Sequence, residues 1–332
     1  MFNWAFIGTG TIVRKFIKGL SAVEGANLYA VGSRNISRAE EFAKEFGIEK
    51  AYGDISMLAE DDNIDCVYIG VPHALHKPYM ELCIKKGRNV LCEKPFTINE
   101  AEAKQIAELA KEYGVFVMEA AWTKFLPVII KVKELLESGA VGEVCDIRAS
   151  FGFFSETDVT NRLYDLELGG GALLDVGVYP LMLALYYMDG CPDKIESDAL
   201  IGATGVDEIN HFTLVYNRNG RRVTAQLSSA LKENQGADAV ITTTKGRVVI
   251  PDFYQAQEAY VYDSEGKLIQ TISHSHSSNG YEFEARAVQT CIAKGIAQCD
   301  VHTLDDTIDI LKIADGMRKE WGLVYPADNM QT

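Results

Sequence analysis

The chain has 332 residues, 47% of them hydrophobic and 24% charged, with only 8 prolines, which fits two domains with sizeable cores and excludes long disorder. A net charge of −15 argues against nucleic acid and against anionic membranes as partners. The imbalance is uneven: residues 1–122 hold 14 basic and 17 acidic side chains, and the remainder holds 18 and 30, so a bound anion is expected in the N-terminal third.

The opening "MFNWAFIGTG" runs straight into an apolar strand pattern, without the basic and long apolar regions of a signal peptide. No uninterrupted apolar run approaches the ~20 residues of a membrane span. The 7 cysteines contain no CxxC pair, and Cys66, Cys83 and Cys92 lie in apolar segments as small core residues, so a reducing, cytoplasmic location is expected.

Taken in order, 3–8 reads as a buried strand, followed by a glycine turn and a helix over 12–20. Strands are then expected at 27–33, 65–72, 89–95 and 115–121. Helices are expected at 37–47, 75–87 and 99–114, the last with Asn99 as its N-cap. This alternation predicts an α/β, doubly wound parallel sheet of Rossmann type. Beyond about residue 122 the pattern becomes β-rich at 144–153, 208–217, 221–231, 237–250 and 258–272, with two helices at 281–294 and 304–321. That predicts an α+β domain with an open, largely antiparallel sheet. The expected division is a nucleotide-binding domain over 1–122 and a second domain over 123–332.

"GTGTIV" (8–13) follows the first strand and opens the first helix. There Gly8, Thr9, Gly10, Thr11 and Ile12 are expected to wrap a dinucleotide pyrophosphate at the helix N-terminus. Val13 occupies the place of the fingerprint's third glycine or alanine, so helix and strand are expected slightly further apart. At the end of the second strand, "GSRNISR" has no acid for a ribose diol. Ser33 and Arg34, with Arg38 in reserve, would instead meet a 2′-phosphate, favouring NADP over NAD. Val71 and Pro72 end the third strand and His76 follows it, where a cofactor would pass, and His73 reads as surface loop. Glu93 and Lys94 sit at the carboxyl end of the fourth strand, the mouth of the cofactor crevice. From there Lys94 could hold a substrate hydroxyl and favour a nearby phenolate. "GGGALLDVGVYP" (169–180) carries Asp175 and Tyr179 four residues apart, on one face of a helix.

The "GTG" turn, "VPHALHKP", "CEKP", "MEAAWTKFLP" and "GGALLDVGVYP" together resemble the Gfo/Idh/MocA family of sugar oxidoreductases, over essentially the whole chain. The resemblance implies a Rossmann domain followed by an open-faced sheet that forms a homodimer contact. Lys94 matches the lysine of the family's EKP motif, and Asp175 and Tyr179 match its D-x-x-x-H/Y motif in the tyrosine-bearing branch. It further implies an NADP-dependent dehydrogenase for a sugar such as D-xylose or a cyclic trans-diol. On this reading Tyr179 is the general acid/base, Lys94 its electrostatic partner and a substrate binder, and Asp175 a positioning group. Trp122, Arg148 and Phe151 are further substrate-side candidates. "SHSHSS" (273–278) reads as a solvated loop, and no metal site is expected. Two other readings stand beside this one: an NAD-linked polyol or aminosugar dehydrogenase, and a catalytically silent NADP sensor on the same fold.

Overall fold

A computed structural model of the chain describes residues 1–158, 160–218 and 220–329. The described residues pack into two compact units, one built from Met1–Trp122 with Ser277–Ile308, the other from Thr123–His276 with the chain from Asp309 onward. The expected single cut after residue 122 is thus followed by a return of the chain to the first unit.

In the first unit, strands β1 (Phe2–Ile7), β2 (Ala26–Gly32) and β3 (Lys50–Tyr52) alternate with helices α1 (Thr11–Leu20), α2 (Ile36–Phe46) and α3 (Ile55–Ala59). Then come β4 (Cys66–Ile69), α4 (His76–Lys85), β5 (Asn89–Cys92), α5 (Glu100–Tyr113) and β6 (Val117–Glu119). The sheet runs β3-β2-β1-β4-β5-β6 with every pairing parallel. The order reverses between β1 and β4, so the crevice for a ligand opens beyond the carboxyl ends of those two strands. Helix α1 buries Val13, Phe16, Ile17 and Leu20, the spacing of one helical face. Phe16 stacks on Tyr68 of β4 with ring centroids 3.9 Å apart.

The second unit begins with α6 (Pro127–Glu137) and the long strand β7 (Val144–Phe154), followed by a buried helix α7 (Val178–Met188). Strands β8 (Lys194–Ile201), β9 (Asp207–Arg218), β10 (Arg221–Ala230), β11 (Lys232–Gly236), β12 (Ala239–Thr243), β13 (Gly246–Ile250), β14 (Glu258–Asp263) and β15 (Leu268–Ser273) complete a nine-stranded sheet. Its order is β15-β14-β13-β12-β7-β10-β9-β8, with β11 pairing on β7. Only β10 with β7 is parallel among these pairings, so the sheet is mixed but largely antiparallel. The stretch Leu166–Met188 is long and apolar enough to cross a membrane, yet 89% of its apolar window is buried. It is the core helix of this unit.

Two helices end the chain, α8 (Tyr281–Ala293) and α9 (Leu304–Trp321). The first packs back on the Rossmann unit: Tyr281 stacks on Trp122 at 4.4 Å and meets the edge of Phe16. That contact explains why 277–308 leaves the second unit.

Four elements escape the hydrophobic pattern. β3 and α3 have only 3 and 5 residues, too few for a period to emerge. β8 and β11 are rich in polar residues and partly exposed, so they lack a continuous apolar face. The segments at 237–250 and 258–272 each fold as a hairpin.

Candidate active site

In the first unit the glycine turn is built as the fingerprint requires, with one substitution of means. Gly8 has φ 110°, and a Cβ there would lie 2.4 Å from the carbonyl oxygen of Gly70. Gly70 follows β4, and a Cβ on it would come within 2.7 Å of Val13 Cγ2. The close helix–strand contact that the fingerprint's third glycine normally permits is supplied from the strand side, with Val13 fully buried. The expected widening at Val13 is therefore corrected by Gly70. Gly10 is the N-cap of α1, with open space at its Cβ position and no acidic side chain in the first helical turn. Thr11 and Ile12 form that turn. Free N–H groups, a positive dipole end and no competing carboxylate suit a pyrophosphate.

At the end of β2, Ser33 is half-buried and Arg34 exposed. Arg34 lines an open cleft of about 420 Å³ with Gly53, Asp54, Ile55, Ser56, Tyr79 and Leu82. Arg38, exposed on the first turn of α2 with its backbone N–H donating to the Asn35 cap, is not among its walls.

The segment after β5 is held from both sides. His76 is fully buried, with Nδ1 2.8 Å from the Pro95 carbonyl and Nε2 2.9 Å from the Val71 carbonyl. Burial pushes its imidazole down to about 4, against the pull of those carbonyls. His76 lies between two main-chain segments, one ring nitrogen against the Val71 carbonyl after β4 and the other against the Pro95 carbonyl just after Lys94. The backbone N–H of Phe96 donates to Glu119 Oε1 at 3.0 Å. Glu119 Oε2 in turn meets His302 Nε2 at 3.0 Å and the Thr307 hydroxyl at 2.9 Å. Burial opposes ionisation of Glu119, but His302 and Thr307 hold it below the usual carboxylate range.

Glu93 points inward beside this segment. It is buried, its Oε1 accepts from the Tyr68 hydroxyl at 2.5 Å, and its Oε2 accepts from the Lys94 N–H at 3.3 Å. The side chain turns into the core and meets Tyr68 there. Burial raises its carboxyl above the usual range despite the nearby Lys94 ammonium. His73, expected on a surface loop, is buried as well, in the short helical turn His73–Leu75 between Pro72 and α4. Trp122 is 4% exposed with a face stacked on Tyr281, which makes it packing rather than an open pocket wall.

In the second unit Asp175 and Tyr179 lie on one continuous helical segment. Leu173–Gly177 form a π-helical turn, and Tyr179 is the second residue of α7. Asp175 is buried, and its Oδ1 lies 2.9 Å from Nη2 of Arg162. Tyr179 belongs to an aromatic wall, 5.4 Å from the Phe151 ring and 6.1 Å from Tyr254, which themselves stack at 4.6 Å. Burial, and then Asp252, push the Tyr254 phenol up. Phe153 and Phe151 also pack on the cluster of Leu163, Tyr164 and Val176.

Arg148 does not join this group. Register on β7 is unbroken from Asp146 to Gly152, so Arg148 and Phe151, three residues apart, point to opposite faces of the sheet. Arg148 is exposed and paired with Asp146 at 3.0 Å. Sequence reasoning missed Arg162 and Tyr254, both in three-residue 3-10 turns too short for a period to assign a direction. Among the described residues no group of three or more metal-ligating side chains is found.

Comparison with known proteins supplies the context. Residues 2–121 match the Gfo/Idh/MocA model for an oxidoreductase family with an NAD-binding Rossmann fold, and residues 129–249 match the model for the Gfo/Idh/MocA C-terminal domain. A trans-1,2-dihydrobenzene-1,2-diol dehydrogenase from Xenopus tropicalis is 33% identical, over 98% of this chain and 99% of the relative. Two solved structures share the fold. A 3-ketoreductase from Actinomadura kijaniata, solved with NADP and TDP-benzene, gives a TM-score of 0.84 at 24% identity, covering 96% and 97% of the two chains. A levoglucosan dehydrogenase, solved with NADH and levoglucosan, gives 0.84 at 19% identity, covering 97% of each chain.

Proposed function

Since the chain belongs to the Gfo/Idh/MocA oxidoreductase family and is an NAD(P)-dependent dehydrogenase, we propose that it oxidises a sugar or a cyclic trans-diol with NADP as the partner nucleotide. The observation that carries this reading is Tyr179: a phenol one turn after a buried carboxylate, set in an aromatic wall with Phe151 and Tyr254. An aromatic wall with a few convergent polar groups suits the apolar face of a sugar ring or of an arene diol.

A nicotinamide held there would supply the hydride acceptor. The chain's own work is to bind, orient and manage one proton. Tyr179 takes the proton of the reacting hydroxyl at its phenolic oxygen. A free phenol with a pKa near ~10 is a poor base at neutrality, and a neighbouring ammonium favours its ionised form. Lys94 is assigned that role and that of holding the substrate hydroxyl. Its backbone is fixed by the His76 and Glu119 clamps on the following two residues. Asp175 orients, with Arg162 as its counter-ion. The turn at Gly8–Ile12 is assigned the pyrophosphate, with Val71 and Pro72 beside it, and Ser33 with Arg34 the 2′-phosphate; the cleft that Arg34 lines supports the last assignment.

We also propose a homodimer through the sheet of the second unit, supported by the exposed residues of its face opposite α7, and a cytoplasmic location, in keeping with seven free thiols. The partners are small sugars or diols, not nucleic acid or membrane. The test is NADPH formation at 340 nm with a panel of aldopentoses, aldohexoses and cyclic trans-diols, repeated with NAD. Turnover preferring NADP is expected. Tight NADPH binding without turnover on any panel member would favour the sensor reading.

A further inference from the structure

The π turn that carries Asp175 is pinned at its start by a buried acid with no role so far. Asp207, the first residue of β9, is fully buried. Its Oδ2 accepts from the backbone N–H of Leu173 at 2.7 Å and from Asn210 Nδ2 at 2.7 Å. Asn210 Oδ1 accepts from the Ser229 hydroxyl at 2.9 Å, so the amide cannot turn without losing a partner. Leu173 opens the π turn, and its N–H is one of the donors that a helix start leaves without an internal partner.

The opposite oxygen explains a glycine. Gly171 has φ 117°, and a Cβ there would stand 2.2 Å from Asp207 Oδ1 and 3.0 Å from the Tyr325 hydroxyl. Only glycine lets the main chain pass this close to the carboxyl group. Tyr325 donates to the Gly170 carbonyl at 2.5 Å, fastening the same loop from the other side. Asp207 Oδ1 receives no hydrogen bond.

We propose that Asp207 is a positioning residue for the acid/base segment, setting the direction of Asp175 and Tyr179 by anchoring the first N–H of the π turn. The proposal rests on the reading of those two residues given above. Leu173, Asp175 and Tyr179 share one rigid helical rise, so a slip at Leu173 moves both side chains together, and small misplacements of acid/base groups are expensive in rate.

The charge state of the anchor follows from its surroundings. The groups facing it are the Arg318 guanidinium of α9, the Tyr325 phenol and the Asn210 amide, and Arg318 is itself bound by Asp315 and Asp328. Burial pushes the carboxyl up to about 7, with the Leu173 N–H and Asn210 pulling the other way. The neutral acid satisfies both donors through Oδ2 and places its proton on Oδ1, the oxygen without a donor. Ionisation strengthens the bond to Leu173 and leaves Oδ1 uncompensated.

The test uses the full chain with Asp207→Asn and Asp207→Ala. In the wild type the Leu173 amide resonance should titrate with a midpoint near pH 7, and in Asp207→Asn it should be flat. In steady state, Asp207→Ala should lower kcat about tenfold or more while the KM for the nucleotide stays within about twofold, and Asp207→Asn, which keeps an accepting carbonyl, should recover most of kcat. A Leu173 amide whose resonance neither titrates in the wild type nor moves on Asp207→Asn substitution would overturn the anchor. So would an Asp207→Ala enzyme with wild-type kcat. Should Asp207→Ala fail to fold, the Asn variant and the wild-type titration decide alone. The amide readout needs no turnover, so loss of the dehydrogenase reading and loss of the anchor are seen separately.

Discussion

The guanidinium of Arg162 lies 2.9 Å from Asp175, making an ion pair between the short 3-10 turn Arg162–Tyr164 and the π turn that precedes α7. The two ends differ: the Arg162 side chain is 46% exposed, whereas that of Asp175 is 8% exposed. The arginine is therefore the solvent-facing end of the pair and the carboxylate its buried end.

That relationship predicts the effect of Arg162→Met. Removing the guanidinium should raise KM for the sugar or diol and lower kcat/KM about tenfold, the modest effect expected of a half-exposed pair, with nucleotide affinity unchanged. Steady-state kinetics with each substrate varied in turn checks it. An unchanged kcat/KM would mean that Asp175 is oriented without Arg162.

The contact of Gly70 with Val13 predicts a reciprocal pair of variants. Gly70→Ala forces a methyl to within 2.7 Å of Val13 Cγ2 and should cost about 1–3 kcal/mol of stability, as overpacking does. Val13→Ala on that background should restore most of the loss. A double-mutant cycle by denaturant titration reads the coupling, and additive losses would show that the two side chains do not compete for one space.

Arg34→Ala should weaken NADP binding by about tenfold or more and leave NAD binding nearly unchanged, because only the former carries a phosphate for the guanidinium to hold. Fluorescence titration with both reduced nucleotides measures this. Equal losses for the two would place Arg34 away from the 2′-position.

A buried acid in α8 ties stability to pH. Glu284 is fully buried, neither carboxyl oxygen has a hydrogen-bond partner, and burial with the nearby Glu93 holds its carboxyl well above the usual range. Its folded pKa exceeds the unfolded one, so its contribution to stability is full at acidic pH and is lost as pH rises towards the folded value. Glu284→Gln should therefore raise Tm relative to the wild type by an amount that grows with pH above about 5. Thermal melts across pH 5–9 test the sign, and a difference that shrinks with pH would contradict it.

The parallel sheet was legible because its strands are buried on both faces and its helices carry one apolar face each, as α1 does with Val13, Phe16, Ile17 and Leu20. That Asp175 and Tyr179 stand on one helical segment was legible from the sequence, although the turn at Leu173–Gly177 is π rather than α, a distinction that side-chain pattern does not encode. Direction was not legible where a side chain has two plausible destinations. Glu93 turns into the core to meet Tyr68, His76 closes on two carbonyls, and Arg148 takes the solvent face of β7. Each choice is made by residues distant in sequence. Asp207 was invisible for the same reason, since its partner Leu173 stands 34 positions earlier.

The central claim is that Tyr179 moves the substrate proton. It is tested most directly by kcat of Tyr179→Phe on the best substrate of the panel, with the NADPH dissociation constant measured on the same preparation. The account predicts a loss of about 10² or more in kcat with nucleotide affinity intact. Turnover near the wild-type rate would contradict it and leave the aromatic wall as the only role for this residue.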